Sequence, residues 1–201
     1  MSEIKVRITL TEEMLGTCSN NKEIHAEFIA SKAPDAESRE EEIAAIGVDQ
    51  EVEKSMTVFP RDEDGNPFIW NYLIKGFFKD SCGALQRCKG AEMAKHSEKI
   101  KAYKKIIDGC VFVEPRKIAL NFDGEIGNCQ RPLRGQTAQG ERIALANSET
   151  VPAGTTMDVT IVTLSDDYDK LVMEWLNYGR FKGLGQWRNS GKGSFTYEVL
   201  K

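Results

Sequence analysis

The chain is 201 residues long, room for one domain of ordinary size or two small ones. It is 40% hydrophobic and 29% charged, with a mean hydropathy of −0.42. That is the balance of a globular protein. No apolar run approaches the ~18 residues that span a bilayer, so a membrane protein and a wholly disordered chain are both excluded. The opening MSEIKVRITL alternates and is charged, unlike a secretory leader. Twenty-seven bases against 31 acids give a net charge of −4. Residues 1–66 hold 16 acids and 7 bases, whereas 67–201 hold 15 acids and 20 bases. A polyanion is therefore expected to meet the second part.

In chain order, Ile4, Val6, Ile8 and Leu10 alternate with Lys5, Arg7 and Thr9, the pattern of a half-buried strand. Gly16 to Asn21 reads as a turn, and Ile24, Phe28 and Ile29 as a short helix carrying His25. Residues 33–55 form an acidic surface insertion with a helix near 40–46. Met56–Phe59 is a short strand ended by Pro60, and Asp62–Pro67 is a strong turn signal. Leu73, Ile74, Phe77, Phe78, Cys82 and Leu85 then recur at helical spacing, with Gly76 inside the helix pointing to close packing or to close backbone approach to a ligand. A second helix is capped by Ser97 and stopped by Gly109. Its inner face is Ile100, Tyr103, Ile106 and Ile107, and its outer face carries Lys99, Lys101, Lys104 and Lys105.

Val111–Val113 and Ile118–Leu120 read as strands. Residues 123–141 form a loop or hairpin arm, and 142–146 are strand-like. After a turn at Val151–Thr155 comes a core strand with Met157, Val159, Ile161 and Val162. A helix follows, capped by Ser165, with Tyr168, Leu171, Val172, Trp175 and Leu176 on one face and Gly179 as its stop. A glycine- and base-rich loop leads to a last strand, Phe195–Leu200. The order fits an α+β fold, a ferredoxin-like (RRM-like) antiparallel sheet with helices on one face. One domain over 1–201 is expected, with the acidic insertion at about 33–55 and the arm at about 123–141.

Five cysteines, with no CxxC, argue for free thiols in a reducing cytoplasm. The two histidines have no zinc spacing, and no P-loop, GxGxxG, HExxH or GxSxG is present, so no metal or small-molecule cofactor is expected. Two places offer cations to an anionic ligand. The first is the helix following Pro67, with Lys75 and Lys79 one and two turns in. The second is the terminal loop. There Gly183 and Gly185 permit close backbone approach, and Arg180, Lys182, Arg188 and Lys192 supply charge. The structural alternatives are solvated lysines on an amphipathic helix and a tight turn with exposed bases.

Three stretches together resemble the RAMP superfamily, the repeat-associated proteins of CRISPR systems. They are Val6–Leu10 running to Leu15-Gly16, Asp64-Gly65-Asn66-Pro67-Phe68-Ile69 running to Ile74-Lys75-Gly76 and Lys79, and Val151-Pro152-Ala153-Gly154-Thr155 running through a helix to Gly183-Leu184-Gly185. The second is similar to the family's D-G-x-P-Y-I-P-G-S-S-L-K-G-x-x-R segment. Trp70-Asn71-Tyr72-Leu73 stands where the family has P-G-S-S. Trp70 and Tyr72 are open to base stacking, core packing or partner contact.

The resemblance implies a non-enzymatic subunit that binds guide-type RNA, a backbone piece of a CRISPR effector complex that meets other subunits or copies of itself. It also implies that Arg131 and Arg134 lie on an arm crossing the RNA. Some relatives cleave RNA with an aspartate after the first strand or a histidine on the first helix, which makes Asp35 and His25 the candidate catalytic residues. Two alternatives remain: a phage-encoded relative that inhibits CRISPR immunity through protein contact, and an endoribonuclease.

Overall fold

The structure is a computed structural model that describes residues 1–19, 56–137 and 140–200, without the side chains of 133–145. The predicted helix around His25 and the acidic insertion, with Asp35 and the helix near 40–46, lie outside the described residues. In chain order the elements are β1 (Ser2–Leu10), β2 (Met14–Leu15), β3 (Cys18–Ser19), β4 (Met56–Val58), β5 (Phe68–Trp70), α1 (Asn71–Leu85) and α2 (Tyr103–Cys110). Then come β6 (Val111–Glu114), β7 (Lys117–Ala119), β8 (Gly127–Thr137), β9 (Gly140–Val151), β10 (Thr156–Thr163), α3 (Asp167–Tyr178) and β11 (Phe195–Val199). They form two compact units. One comprises Met1–Met14, Ile69–Asp123 and Pro152–Lys201, and the other Leu15–Phe68 and Gly124–Val151.

The first unit is a four-stranded sheet in the order β11-β1-β10-β6, every neighbour antiparallel. With α1 between β1 and β6, and α3 between β10 and β11, this is the ferredoxin-like plan. The alternation in β1 sets the register. Val6, Ile8 and Leu10 are buried, and Ile4, Val6 and Ile8 face Ile161, Val159 and Met157 of β10. A one-residue slip would turn all of them to the other face. α1 contributes Ile74, Phe77, Phe78, Cys82 and Leu85 to the core, and α3 contributes Leu171, Val172, Trp175 and Leu176. The Phe78 and Trp175 rings lie 5.4 Å apart, and Phe77 meets Phe195 edge-on at 5.1 Å. Each such side chain contributes roughly 1.5–3 kcal/mol on burial. Opposite the helices, Arg7 of β1 makes two 2.8 Å hydrogen bonds to Asp158 of β10. They hold the Asp158 carboxyl below its ordinary range.

Several local expectations change. Gly76 is not a point of close packing within the chain, since nothing lies within 4 Å of where a Cβ would stand. Gly179 ends α3 with ordinary right-handed angles. Its missing side chain instead admits the Phe195 ring, 2.3 Å from where a Cβ would sit. The second helix starts at Tyr103, six residues beyond Ser97, and runs through Gly109 to Cys110. Ser97 caps nothing, because its hydroxyl is held by Glu174.

In the second unit, residues 127–151 form the long antiparallel hairpin β8–β9. β9 continues the sheet β2-β9-β4-β3, pairing in parallel with β4. Glu149 ties the unit together. Its carboxylate accepts from the Phe59 N–H at 2.8 Å and from Arg61 at 2.7 Å, while its backbone carbonyl accepts from the Gly16 N–H. A Cβ on Gly16 would stand 2.5 Å from the Val58 carbonyl carbon, so only glycine fits there.

Candidate nucleic-acid interface

The terminal loop, 179–194, leaves α3 and folds back on itself before β11. The Leu184 N–H donates to the Gly193 carbonyl, and the Gly193 N–H donates to the Glu13 carbonyl. Gly183 is buried inside this closure, and a Cβ there would stand 1.9 Å from the Gly193 carbonyl carbon. Its freedom thus serves the loop's own backbone. Gly185 supplies a left-handed turn at φ +77°. The four cations divide. Arg188 pairs with Asp80 of α1 at 2.7 Å, and Lys192 with Glu13 at 2.6 Å, so both staple the loop to the body of the unit. Arg180 is exposed, its guanidinium 4.7 Å over the Phe181 ring, and Lys182 is half-buried. Phe181 is 58% exposed and Trp187 44% exposed, so the loop presents aromatic faces together with charge.

On α1, Lys79 forms an ion pair with Asp108 of α2. Lys75 donates to the Asp108 backbone carbonyl at 3.1 Å and covers the Phe112 ring at 5.1 Å. Burial pushes the Lys75 ammonium below the ordinary lysine range, opposed in part by the charge of Asp108. Lys75 lines a cleft of about 640 Å³ beside edge strand β6, with Asn71, Phe112, Glu114, Arg116 and Thr160. Of the two aromatics in the altered motif, Trp70 is 1% exposed and packs in the core under Arg116, 5.1 Å away. Tyr72 is 37% exposed and stacks at 6.4 Å from Trp70.

Arg131 and Arg134 lie on β8, opposite Ala146 and Ile143 of β9. Arg131 is half-buried, and the Arg134 side chain lies outside the description. His25 and Asp35 lie outside the described residues. Among the described residues, no cluster of three or more His, Cys, Asp or Glu side chains is placed to hold a metal ion. None of the described helices is long and apolar enough to cross a membrane.

One group that helical periodicity does not single out is Glu174, an acid on the buried face of α3 and 8% exposed. One carboxylate oxygen accepts from the His96 backbone N–H at 2.7 Å and stands 2.6 Å from His96 Nδ1. The other accepts from the Ser97 N–H at 2.8 Å and the Ser97 hydroxyl at 2.7 Å. The Trp175 indole N–H donates to the Ser97 Oγ at 3.2 Å. Burial alone would raise the Glu174 pKa. The bonds from Ser97 and His96 outweigh it, and the net direction is down, so the group stays a carboxylate. Nearby, burial pushes the Cys82 thiol up to about 11, which makes it an inert core residue.

No protein-family model and no curated protein matches the sequence. Among solved structures, the chain is similar to one in the cryo-EM structure of the Type III-B Cmr-beta bound to cognate target RNA, with 14% identity and a TM-score of 0.52. The likeness covers 99% of this chain and 58% of that one, so this chain spans a little over half the length of its counterpart. At this identity the likeness is one of fold.

Proposed function

We propose that this protein is an RNA-binding component of a CRISPR-type ribonucleoprotein. The observation that carries the reading is the likeness of fold, over 99% of this chain, to a chain from an RNA-bound Type III-B assembly. The terminal loop adds to it, because exposed Arg180 and Phe181 combine a cation with a face on which an unpaired base can stack. Guide-type RNA is the expected ligand, and effector subunits or further copies of this chain are the expected protein partners.

The test begins with the nucleic-acid content of purified protein, then titrates labelled single-stranded RNA. Arg180→Glu with Lys182→Glu is the informative loop variant, since it leaves the Arg188–Asp80 and Lys192–Glu13 staples intact. The reading expects bound RNA and weaker binding in the double variant. A protein that copurifies without nucleic acid and binds no RNA at low salt contradicts it.

A further inference from the structure

The positive balance of residues 67–201 has a single source. The connector between α1 and α2, taken with the first turn of α2, holds seven bases and two acids over residues 86–105, and the rest of 67–201 holds 13 of each. Arg87, Lys89, Lys95, Lys99 and Lys101 are exposed, as are Lys104 and Lys105 on α2. Among the described residues none of the seven has a carboxylate within ion-pair distance, in contrast to Lys79, Arg188 and Lys192. One of the connector's two acids, Glu98, turns its carboxylate to the Gly90 backbone N–H at 2.9 Å.

The connector is also held in place. Glu174 fixes its middle through His96 and Ser97. The Gln86 side-chain amide donates to the Ile100 carbonyl at 2.6 Å. The Tyr103 hydroxyl packs over Gly83, 2.7 Å from where a Cβ would be. Ala94, Ser97 and Ile107 point inward and are fully buried. Ala94, Ser97 and Ile107 thus anchor the segment from within, and its seven cations face solvent.

We propose that this connector is a preformed docking surface for the sugar–phosphate backbone of RNA. The inference rests on the RNA-binding reading and assigns it a contact surface separate from the terminal loop. The chemistry of the surface selects the partner. None of the large apolar side chains exposed among the described residues falls within 86–105. A membrane-surface segment needs an apolar face to insert, and a protein interface needs a desolvated apolar centre. Exposed Glu92 is the one acid among these cations that is not turned to the backbone, and a fixed, predominantly cationic surface suits a ligand that carries one charge per nucleotide and gives up counterions on binding.

The test is a combined Lys99→Gln, Lys101→Gln, Lys104→Gln and Lys105→Gln variant, with the corresponding Glu variant as a second arm. All four side chains are exposed, so circular dichroism and melting temperature should match the parent. Anisotropy of a labelled single-stranded RNA is read from 50 to 300 mM salt. Each phosphate neutralised contributes about −0.7 to the slope of log K against log salt, so four lost contacts flatten it by up to about 3. The expected result is at least a tenfold loss of affinity at 100 mM salt, a flatter slope, and a larger loss for the Glu variant. Unchanged affinity and slope, in a parent that binds RNA, overturn this surface and leave the RNA-binding reading standing. A parent that binds no RNA overturns that reading itself. Binding to phosphatidylserine vesicles but not to RNA overturns the choice of partner.

Discussion

The terminal loop and the α1–α2 connector are both basic, and they use their charge differently. In the loop, Arg188 and Lys192 are neutralised by Asp80 and Glu13, and Gly183 is filled by the loop's own backbone. In the connector, seven cations stand in solvent, and the one buried charge in contact with it, Glu174, holds the backbone from below. A cation in a glycine-rich loop is therefore poor grounds for a ligand contact until its partner is known. A cation on a fixed segment with no acid in reach is better grounds, because its field is uncancelled and little ordering entropy remains to be lost on binding.

The largest expected effect that separates the two regions is Gly183→Ala. A methyl 1.9 Å from a backbone carbon prevents closure of the loop. The expected loss is about 3 kcal/mol or more, a fall in Tm of roughly 6–12 °C. An unchanged melting temperature would show that the loop is not packed as described. Glu174→Gln should follow at about 2 kcal/mol, since a charge-assisted acceptor is lost under buried donors. Its pH dependence has a definite sign. The folded pKa lies below the ordinary 4.5, so the contribution is present above about pH 4.5 and is lost as the pH falls through the lowered folded value. The gap in Tm between parent and variant should therefore narrow between pH 6 and pH 3. A constant gap would mean that the carboxylate's charge contributes nothing.

Gly76→Ala should stabilise by about 0.5–1 kcal/mol, as an added Cβ meets open space and alanine is the better helix former. A destabilised variant would place a neighbour there. The smallest effect belongs to Lys192→Gln. A partly exposed ion pair is worth about 0.2–1 kcal/mol, and RNA affinity should change less than twofold. A tenfold loss of affinity would return Lys192 to the interface.

The fold was legible because its signals are periodic. The alternation of β1, the apolar faces of α1 and α3, and the turn at Asp62–Asn66 are each local patterns with one geometric solution. At that turn the Asp62 carboxylate accepts from the Asp64 and Asn66 N–H groups. The site was less legible, because the worth of a charged or small residue depends on what the fold brings to it. Asp80 lies 108 residues from Arg188 and Glu13 lies 179 from Lys192, so neither pairing is visible along the chain. Ser97 has the residue type of a helix cap, yet it is claimed by Glu174, 77 positions away. The outer lysines of the connector were visible as a charged face, but the order of that face comes from the Glu174 bonds, the Tyr103–Gly83 packing and the Gln86–Ile100 bond, which the sequence does not display.

The central claim, that RNA lies on the connector, is tested most directly by the chemical reactivity of each lysine with and without RNA. Amine acetylation read by mass spectrometry resolves every lysine in one experiment. The account expects strong protection at Lys99, Lys101, Lys104 and Lys105 when single-stranded RNA is bound, with Lys79 and Lys192 slow in both states. Full reactivity of the four connector lysines in the RNA-bound protein, with protection confined to Lys182 or to the hairpin unit, would contradict it.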